Sequence, residues 1–314
     1  MDCIGIGIST MDLMVEVDAF PQNDSKNVAT RSHIGGGGPT ANAVAALSKL
    51  GLQTGLLSTV GDDLFGKTNI AELNMFGVDT SGMQLVPAEE ATYAHVIVER
   101  FTGKRTIILN AEDAAELDPA KVPAGYNRGV KSVILDSRAN TSMLAIAERL
   151  KTRGAKIMFD GGSIQKFTDD ILHLADYPIV SEKFALTFFG NSRHRKNVLK
   201  LLDFGGSIAG ITLGPKGSVI ARDGEVFEIP AFTVKAVDTT GAGDLFHAGC
   251  MYGILQNWDI TAIGQFASAV AALGCLALGA RSGLPTLREV VDFLMMQKID
   301  THPLVKKMKE RDDA

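Results

Sequence analysis

Six short apolar runs set the rhythm of this chain: 3-CIGIGI-8, 55-GLLSTV-60, 132-SVILD-136, 156-KIMFD-160, 177-YPIV-180 and 208-IAGITL-213. Between several of them lie stretches with helical spacing, among them 41-ANAVAALSKLG-51, 67-KTNIAELNMFG-77, 141-TSMLAIAERLKTRG-154 and 285-PTLREVVDFLMMQK-298. Strands this apolar need cover on both faces, and helices returning between parallel strands supply it. The alternation predicts an α/β chain: a three-layer α/β/α sandwich around a mostly parallel central sheet. No Pro/Ser linker and no internal repeat breaks the 314 residues, so one domain over 1–314 is expected.

A second strand type interrupts the rhythm. Residues 92-TYAHVIVE-99 and 105-RTIILN-110, joined by Thr102-Gly103-Lys104, read as a hairpin with partial alternation. Segments 13-LMVEV-17 and 26-KNVATRSHI-34 can add strands to it. A small β-sheet lid drawn from 12–34 and 92–110 would exclude water from a reacting site. A plain edge hairpin is the alternative.

Composition excludes some functions. A net charge of −5 argues against a nucleic-acid partner, which needs a basic face. Cys3, Cys250 and Cys275 make neither metal spacing nor a disulfide framework, so a cytoplasmic location is expected. The start, MDCIGIGIST, lacks the basic region of a signal peptide. Segment 262-AIGQFASAVAALGCLALGA-280 carries no charge, yet it is rich in Ala and Gly rather than Leu and Ile. It reads as a helix buried between layers, with no membrane partner.

Two segments compete for phosphate chemistry. Residues 61-GDDLFGKT-68 satisfy the P-loop pattern to the letter. However, Asp62 and Asp63 would put negative charge inside an anion nest, and Leu64 and Phe65 are bulky there. The rival is 238-DTTGAGDLFHAG-249. Gly241, Ala242 and Gly243 leave amides unobstructed at a helix start, where orphan N–H groups and the dipole favour an anion. Such amides suit a transferring phosphoryl group, and Asp244 could accept a proton from an attacking hydroxyl. The same stretch also fits a plain cap, with Asp238 or Thr240 at the N-cap and Asp244 pairing the dipole. Two further glycine clusters favour ligands over caps. In 35-GGGGPTANAVAALSKLG-51 a glycine run precedes a helix carrying Asn42, and 211-ITLGPKGS-218 ends a strand in a Gly-rich turn.

On these motifs, in this order, the chain resembles the ribokinase family of PfkB carbohydrate kinases over nearly its whole length. The resemblance implies a ribokinase-like sandwich and an ATP-dependent sugar kinase that uses Mg2+. By it Asp244 is the catalytic base and Gly241, Ala242 and Gly243 form the anion hole. Asp12, Gly37, Gly38 and Asn42 hold sugar hydroxyls, Thr212, Gly214 and Gly217 line the ATP site, and Ser268 falls where the adenine packs. Asp238, Thr240, Gly274 and Gly279 correspond to a monovalent-cation loop, for K+. The family's lid often pairs into a homodimer, and its GDD segment belongs to the sugar-side scaffold. One departure is clear: the family's N-x-x-E reads 181-SEKF-184 here, with Ser181 for Asn and Phe184 for Glu.

Lys26, Asn110 and Arg138 stand out as candidates to address the sugar, and their flanks resemble 6-deoxy-6-sulfofructose kinases; surface solvation of Lys26 and an ion pair of Arg138 with Asp136 are the plain alternatives. Ketohexokinase-like members also place an arginine near the last. A cation pair with an amide could grip an anionic substituent on a ketose, whereas Asp136 could accept hydrogen bonds from a neutral sugar. Nucleoside and 2-keto-3-deoxygluconate kinases share the fold. A P-loop NTPase and a non-catalytic sugar-binding relative are the readings of another class.

Overall fold

The computed structural model describes residues 1–87, 91–110 and 115–299. In chain order its N-terminal half contains β1 (Cys3–Ile6), β2 (Thr10–Val17), β3 (Arg31–Gly37), α1 (Pro39–Lys49), β4 (Thr54–Gly61), α2 (Leu64–Met75), β5 (Met83–Val86), β6 (Tyr93–Glu99), β7 (Arg105–Leu109), β8 (Ser132–Asp136) and α3 (Thr141–Lys151). There follow β9 (Lys156–Gly161), α4 (Thr168–Leu174), β10 (Tyr177–Ser181), α5 (Glu182–Phe189), α6 (His194–Leu202), β11 (Ile208–Thr212), β12 (Ser218–Arg222), β13 (Glu225–Ile229), α7 (Ala242–Leu255), α8 (Ile260–Gly274) and α9 (Leu287–Met296).

The strands form a nine-stranded sheet, β13-β12-β11-β10-β9-β8-β1-β4-β5, and a four-stranded sheet, β3-β2-β6-β7. From β5 to β11 the large sheet is parallel, and β12 and β13 extend it antiparallel. Alternation of side chains across the pleat divides the core. Val133, Leu135, Ile157 and Phe159 enter one layer with Met143 of α3 and Val198 of α6. Ile134 and Met158 enter the other with Leu47 of α1, Met251 of α7 and Phe266 of α8. Both faces are covered, so the expected three-layer sandwich is present.

The uncharged 262–280 segment becomes α8 and the loop after it. Its small residues allow close packing: a Cβ on Gly249 of α7 would lie 2.5 Å from the Ala267 Cα. Among the described residues no helix is long and apolar enough to cross a membrane.

The small sheet pairs β2 antiparallel to β3 and parallel to β6, with β7 antiparallel to β6. Its boundaries differ from the sequence reading. β3 begins at Arg31, not 26, and runs on to Gly37, so three of the four glycines end a strand rather than lead a helix. Outside the small sheet, β13 stops at Ile229, because Pro230 has no N–H to donate, and α7 starts at Ala242.

Candidate active site

The N-terminus of α7 is built by its preceding loop. Gly241 is the N-cap with φ +80°, and a Cβ there would meet the Ala280 Cβ at 2.9 Å, so both conformation and space call for glycine. No side chain caps this helix. Asp238 is turned away: its Oδ1 accepts from the Thr240 N–H at 2.9 Å and the Thr240 hydroxyl at 2.8 Å, and its Oδ2 from the Gly279 N–H at 2.9 Å. Asp238 thereby ties the 238–241 loop to the loop after α8 and caps nothing, which corrects the plain-cap reading. Above Gly243 there is open space among the described residues.

Asp244 lies in the first turn of α7. Asn42 of α1 donates from Nδ2 to Asp244 Oδ2 at 2.7 Å. Burial raises the Asp244 carboxyl above the usual range, opposed by the Asn42 hydrogen bond and by the charges of His247, Arg105 and Arg281.

The residues expected to hold the sugar converge on the same place. Asp12 is buried on β2, opposite Gly35 of β3, and accepts from the Thr10 hydroxyl at 3.1 Å. Burial pushes its carboxyl up to about 6, against the pull of Thr10 and Arg281. A Cβ on Gly37 would lie 2.3 Å from Asp12 Oδ1, and one on Gly38 would lie 2.5 Å from the Ile8 carbonyl oxygen. These glycines admit the backbone against its neighbours.

Arg281, which the sequence reading missed, organises this side. It is 2% exposed. It donates to Asn42 Oδ1 at 2.9 Å, Asn69 Oδ1 at 3.0 Å and the Gly37 carbonyl at 2.7 Å, and pairs with Glu72 at 3.5 Å. Burial lowers its guanidinium to about 10. The 279-GARSG-283 stretch gives no motif for this role; only the fold brings residue 281 to residue 42.

Among the residues expected to line the ATP site, Thr212 ends β11, and Gly214 (φ +58°) and Gly217 (φ +93°) shape the turn into β12. A Cβ on Gly217 would lie 2.0 Å from the Ile229 carbonyl oxygen. Ser268 is buried on α8. A cavity of about 630 Å³ opens beside the turn, lined by Arg193, His194, Leu213, Lys216 and Ser218 among others. Ser181 caps α5 by accepting from the Phe184 N–H at 3.1 Å, and Phe184 is buried against Phe159 and Phe188. Glu182 pairs with His194 at 3.3 Å and Lys216 at 3.7 Å.

The lid tip is seated on the loop before α7. The Thr239 hydroxyl donates to the Gly103 carbonyl at 3.0 Å, and Arg105 Nη1 donates to that hydroxyl at 3.1 Å. Met14, Ala94, Val96 and Val98 pack together within the lid, with Leu278 against them.

Other candidates are placed differently from expectation. Asp136 is 1% exposed, and its carboxylate accepts from the Ile8 N–H, the Thr40 hydroxyl and the Arg138 N–H at 2.8–2.9 Å. It braces a strand end through these three bonds. Asn110 uses its amide on backbone, accepting from the Tyr93 N–H at 2.8 Å and donating to the Ala91 carbonyl at 3.2 Å. Lys26 lies on the exposed loop between β2 and β3, and Arg138 is half-buried after β8.

The P-loop reading is overturned. Asp63 N-caps α2, accepting from the Gly66 N–H at 2.8 Å and the Ala91 N–H at 3.0 Å. Lys67 pairs with Asp62 at 2.7 Å on the surface. A carboxylate of the protein itself holds the amides that a phosphate would need.

Residues 2–287 match the model of the pfkB family carbohydrate kinase. An ATP-dependent ribose-1-phosphate kinase of Halopiger xanaduensis is 29% identical, covering 93% of this chain and 97% of its own. A nucleoside kinase of Methanothermobacter thermautotrophicus is 28% identical, covering 92% and 94%. The solved ribokinase of Thermotoga maritima superposes with a TM-score of 0.78 at 26% identity, covering 94% and 99%.

Proposed function

The chain belongs to the pfkB family of carbohydrate kinases, and we propose that it transfers the γ-phosphoryl group of ATP to a primary hydroxyl of a sugar, with a fructose-type ketose as acceptor. One contact carries the reading: Asn42 on the sugar-side helix meets Asp244 at the anion-binding helix start, 2.7 Å apart. A sugar hydroxyl held by Asp12 and Asn42 would reach a base and the helix-start amides together; of these, Ala242 donates to the Thr239 carbonyl at 3.3 Å, a long bond that a phosphoryl oxygen would replace.

In this mechanism Asp244 takes the hydroxyl proton as the oxygen attacks the γ-phosphorus and the bond to the ADP oxygen breaks. The amides of Gly241, Ala242 and Gly243 receive the charge that gathers on the phosphoryl oxygens. Thr212, Gly214, Gly217 and Ser268 line the nucleotide's path. The lid, pinned through Thr239, keeps water away.

Magnesium, when bound, neutralises phosphate charge. The residues at the usual strand end do not fit a protein-held ion: Ser181 caps a helix, Phe184 is apolar, and Glu182 is paired with Lys216 beside His194. The ion therefore belongs to the nucleotide and its water. Asp238, Thr240, Gly274 and Gly279 bring two loops together, and a monovalent cation such as K+ fits there only on backbone carbonyls, because the Asp238 carboxylate is engaged.

An anionic substituent on the ketose, such as the sulfonate of 6-sulfofructose, would rest on Lys26 and Arg138 and not on Asn110. One relative is, by its name, a kinase of ribose 1-phosphate, an anionic sugar, which supports this reading. An ADP-release screen tests the reading across fructose, 6-sulfofructose, fructose phosphates, tagatose, ribose, 2-keto-3-deoxygluconate and nucleosides. Release with a ketose supports it, preference for a nucleoside or ribose overturns the acceptor, and no release with any sugar overturns the kinase reading.

A further inference from the structure

His247 lies one turn beyond Asp244 on α7 and is 3% exposed. Its Nδ1 stands 2.7 Å from the Gly243 carbonyl oxygen, and its Nε2 stands 3.0 Å from the Ile179 carbonyl oxygen on β10. Carbonyl oxygens only accept. A neutral imidazole has one N–H and would set its bare nitrogen against one of these oxygens, whereas an imidazolium satisfies both. A counter-charge is at hand: Asp160 Oδ2, at the end of β9, is 3.4 Å from Nδ1. Asp160 is 4% exposed, and this oxygen has no hydrogen-bond partner among the described residues. A buried carboxylate in that position needs a cation beside it.

We propose that His247 is a positioning residue of the phosphoryl-transfer site, carrying both ring protons with Asp160 as counter-ion, so that a fixed positive charge lies directly beneath the anion hole. The inference rests on the kinase reading above and assigns a residue to that site. Its first consequence concerns the backbone. The Gly243 carbonyl belongs to the same peptide as the Asp244 N–H, so donation from His247 polarises that peptide and makes this N–H, the next one along the helix start after the three anion-hole amides, a stronger donor beside them. Its second concerns the base. A cation one turn away favours the ionised, proton-accepting form of Asp244.

Other charges act on the same pair and are fixed in sign. Asp244 also feels Arg105 of the lid and Arg281, both favouring ionisation. Asp160 feels Asp244 and Asp136, both opposing its own ionisation. Burial lifts the Asp160 carboxyl to about 7, with His247 pulling it down. The imidazolium thus lies between two carboxylates, Asp160 and Asp244.

Ring 15N NMR of the full chain, labelled at histidine and assigned with His247→Gln, tests this without substrate. Both His247 ring nitrogens are expected to carry protons at about pH 7 and at about pH 8, because both face carbonyl acceptors. A bare ring nitrogen at about pH 7 overturns the proposal, even in an active kinase. In kinetics, His247→Gln is expected to lower kcat roughly tenfold, the scale of weakening rather than deleting an anion-hole donor. KM for sugar and ATP is expected to stay within about twofold, since no substrate contact is removed. The acid limb of the kcat–pH profile moves to higher pH, because losing the cation makes Asp244 easier to protonate. An unmoved acid limb overturns the proposal. If the variant does not fold, assignment through Asp160→Asn decides: its loss of counter-charge should return His247 to a single ring proton near pH 8, and an unchanged ring overturns the pairing.

Discussion

Asn42 donates to Asp244 across 2.7 Å while its own carbonyl oxygen accepts from Arg281 at 2.9 Å. The second bond fixes the first. An amide can flip, but Arg281 offers only donors, so the oxygen of Asn42 stays on the arginine and the NH2 stays on the base. The orientation of the base is therefore set by an arginine far away in sequence.

Arg281→Lys is expected to destabilise the fold by about 2–4 kcal/mol, since a lysine cannot keep three acceptors in a fixed fork and leaves buried oxygens unpaired. Denaturant unfolding measures this. In the fraction that stays folded kcat should fall, because Asn42 is then free to turn. Unaltered stability would show that the fork is not what holds this side together.

Asp12 gives a pH dependence with a definite sign. Burial raises its carboxyl to about 6, so the folded state holds a proton that the unfolded state has released. Its contribution to stability is greatest below the unfolded value and declines as pH rises through about 6. Sugar binding runs the other way, because only the carboxylate accepts from two hydroxyls. KM for the sugar is expected to rise as pH falls below about 6, and an Asp12→Asn variant should lose that dependence. A wild-type KM flat through this range would remove Asp12 from the sugar site.

Lys67→Ala is expected to leave turnover within about twofold, as for other exposed ion pairs. Its partner is Asp62, and the amides a P-loop would offer are held by Asp63. Steady-state kinetics checks this, and a collapse of activity would revive the phosphate-nest reading.

Much of this was legible in residues 1–299. Strands apolar throughout, such as 132-SVILD-136, announced a sheet covered on both faces, and the two glycine-to-helix junctions at 38 and 241 marked the helix starts whose residues Asn42 and Asp244 meet. Side-chain destinations were not legible. Asp136 and Asn110 are polar residues at strand ends, and nothing in a linear pattern tells a carboxylate braced on Ile8 and Thr40 from one turned to a sugar. Arg281 and Asp160 act through partners on other elements, and His247 gains its role only with β9 and β10 beside it, so no spacing rule could find them. The P-loop match failed on charge, for Asp63 fills the place of the anion.

The central claim is that Asp244 alone moves the proton while backbone amides carry the charge. Turnover of Asp244→Asn with the sugar found by the screen tests it most directly. The variant keeps the shape and the Asn42 neighbour but cannot accept the proton, and general-base loss costs about 10²–10⁴ in rate. A fall of that size in kcat, with KM for sugar and ATP nearly unchanged, is the expected result. Near-normal turnover would contradict the account.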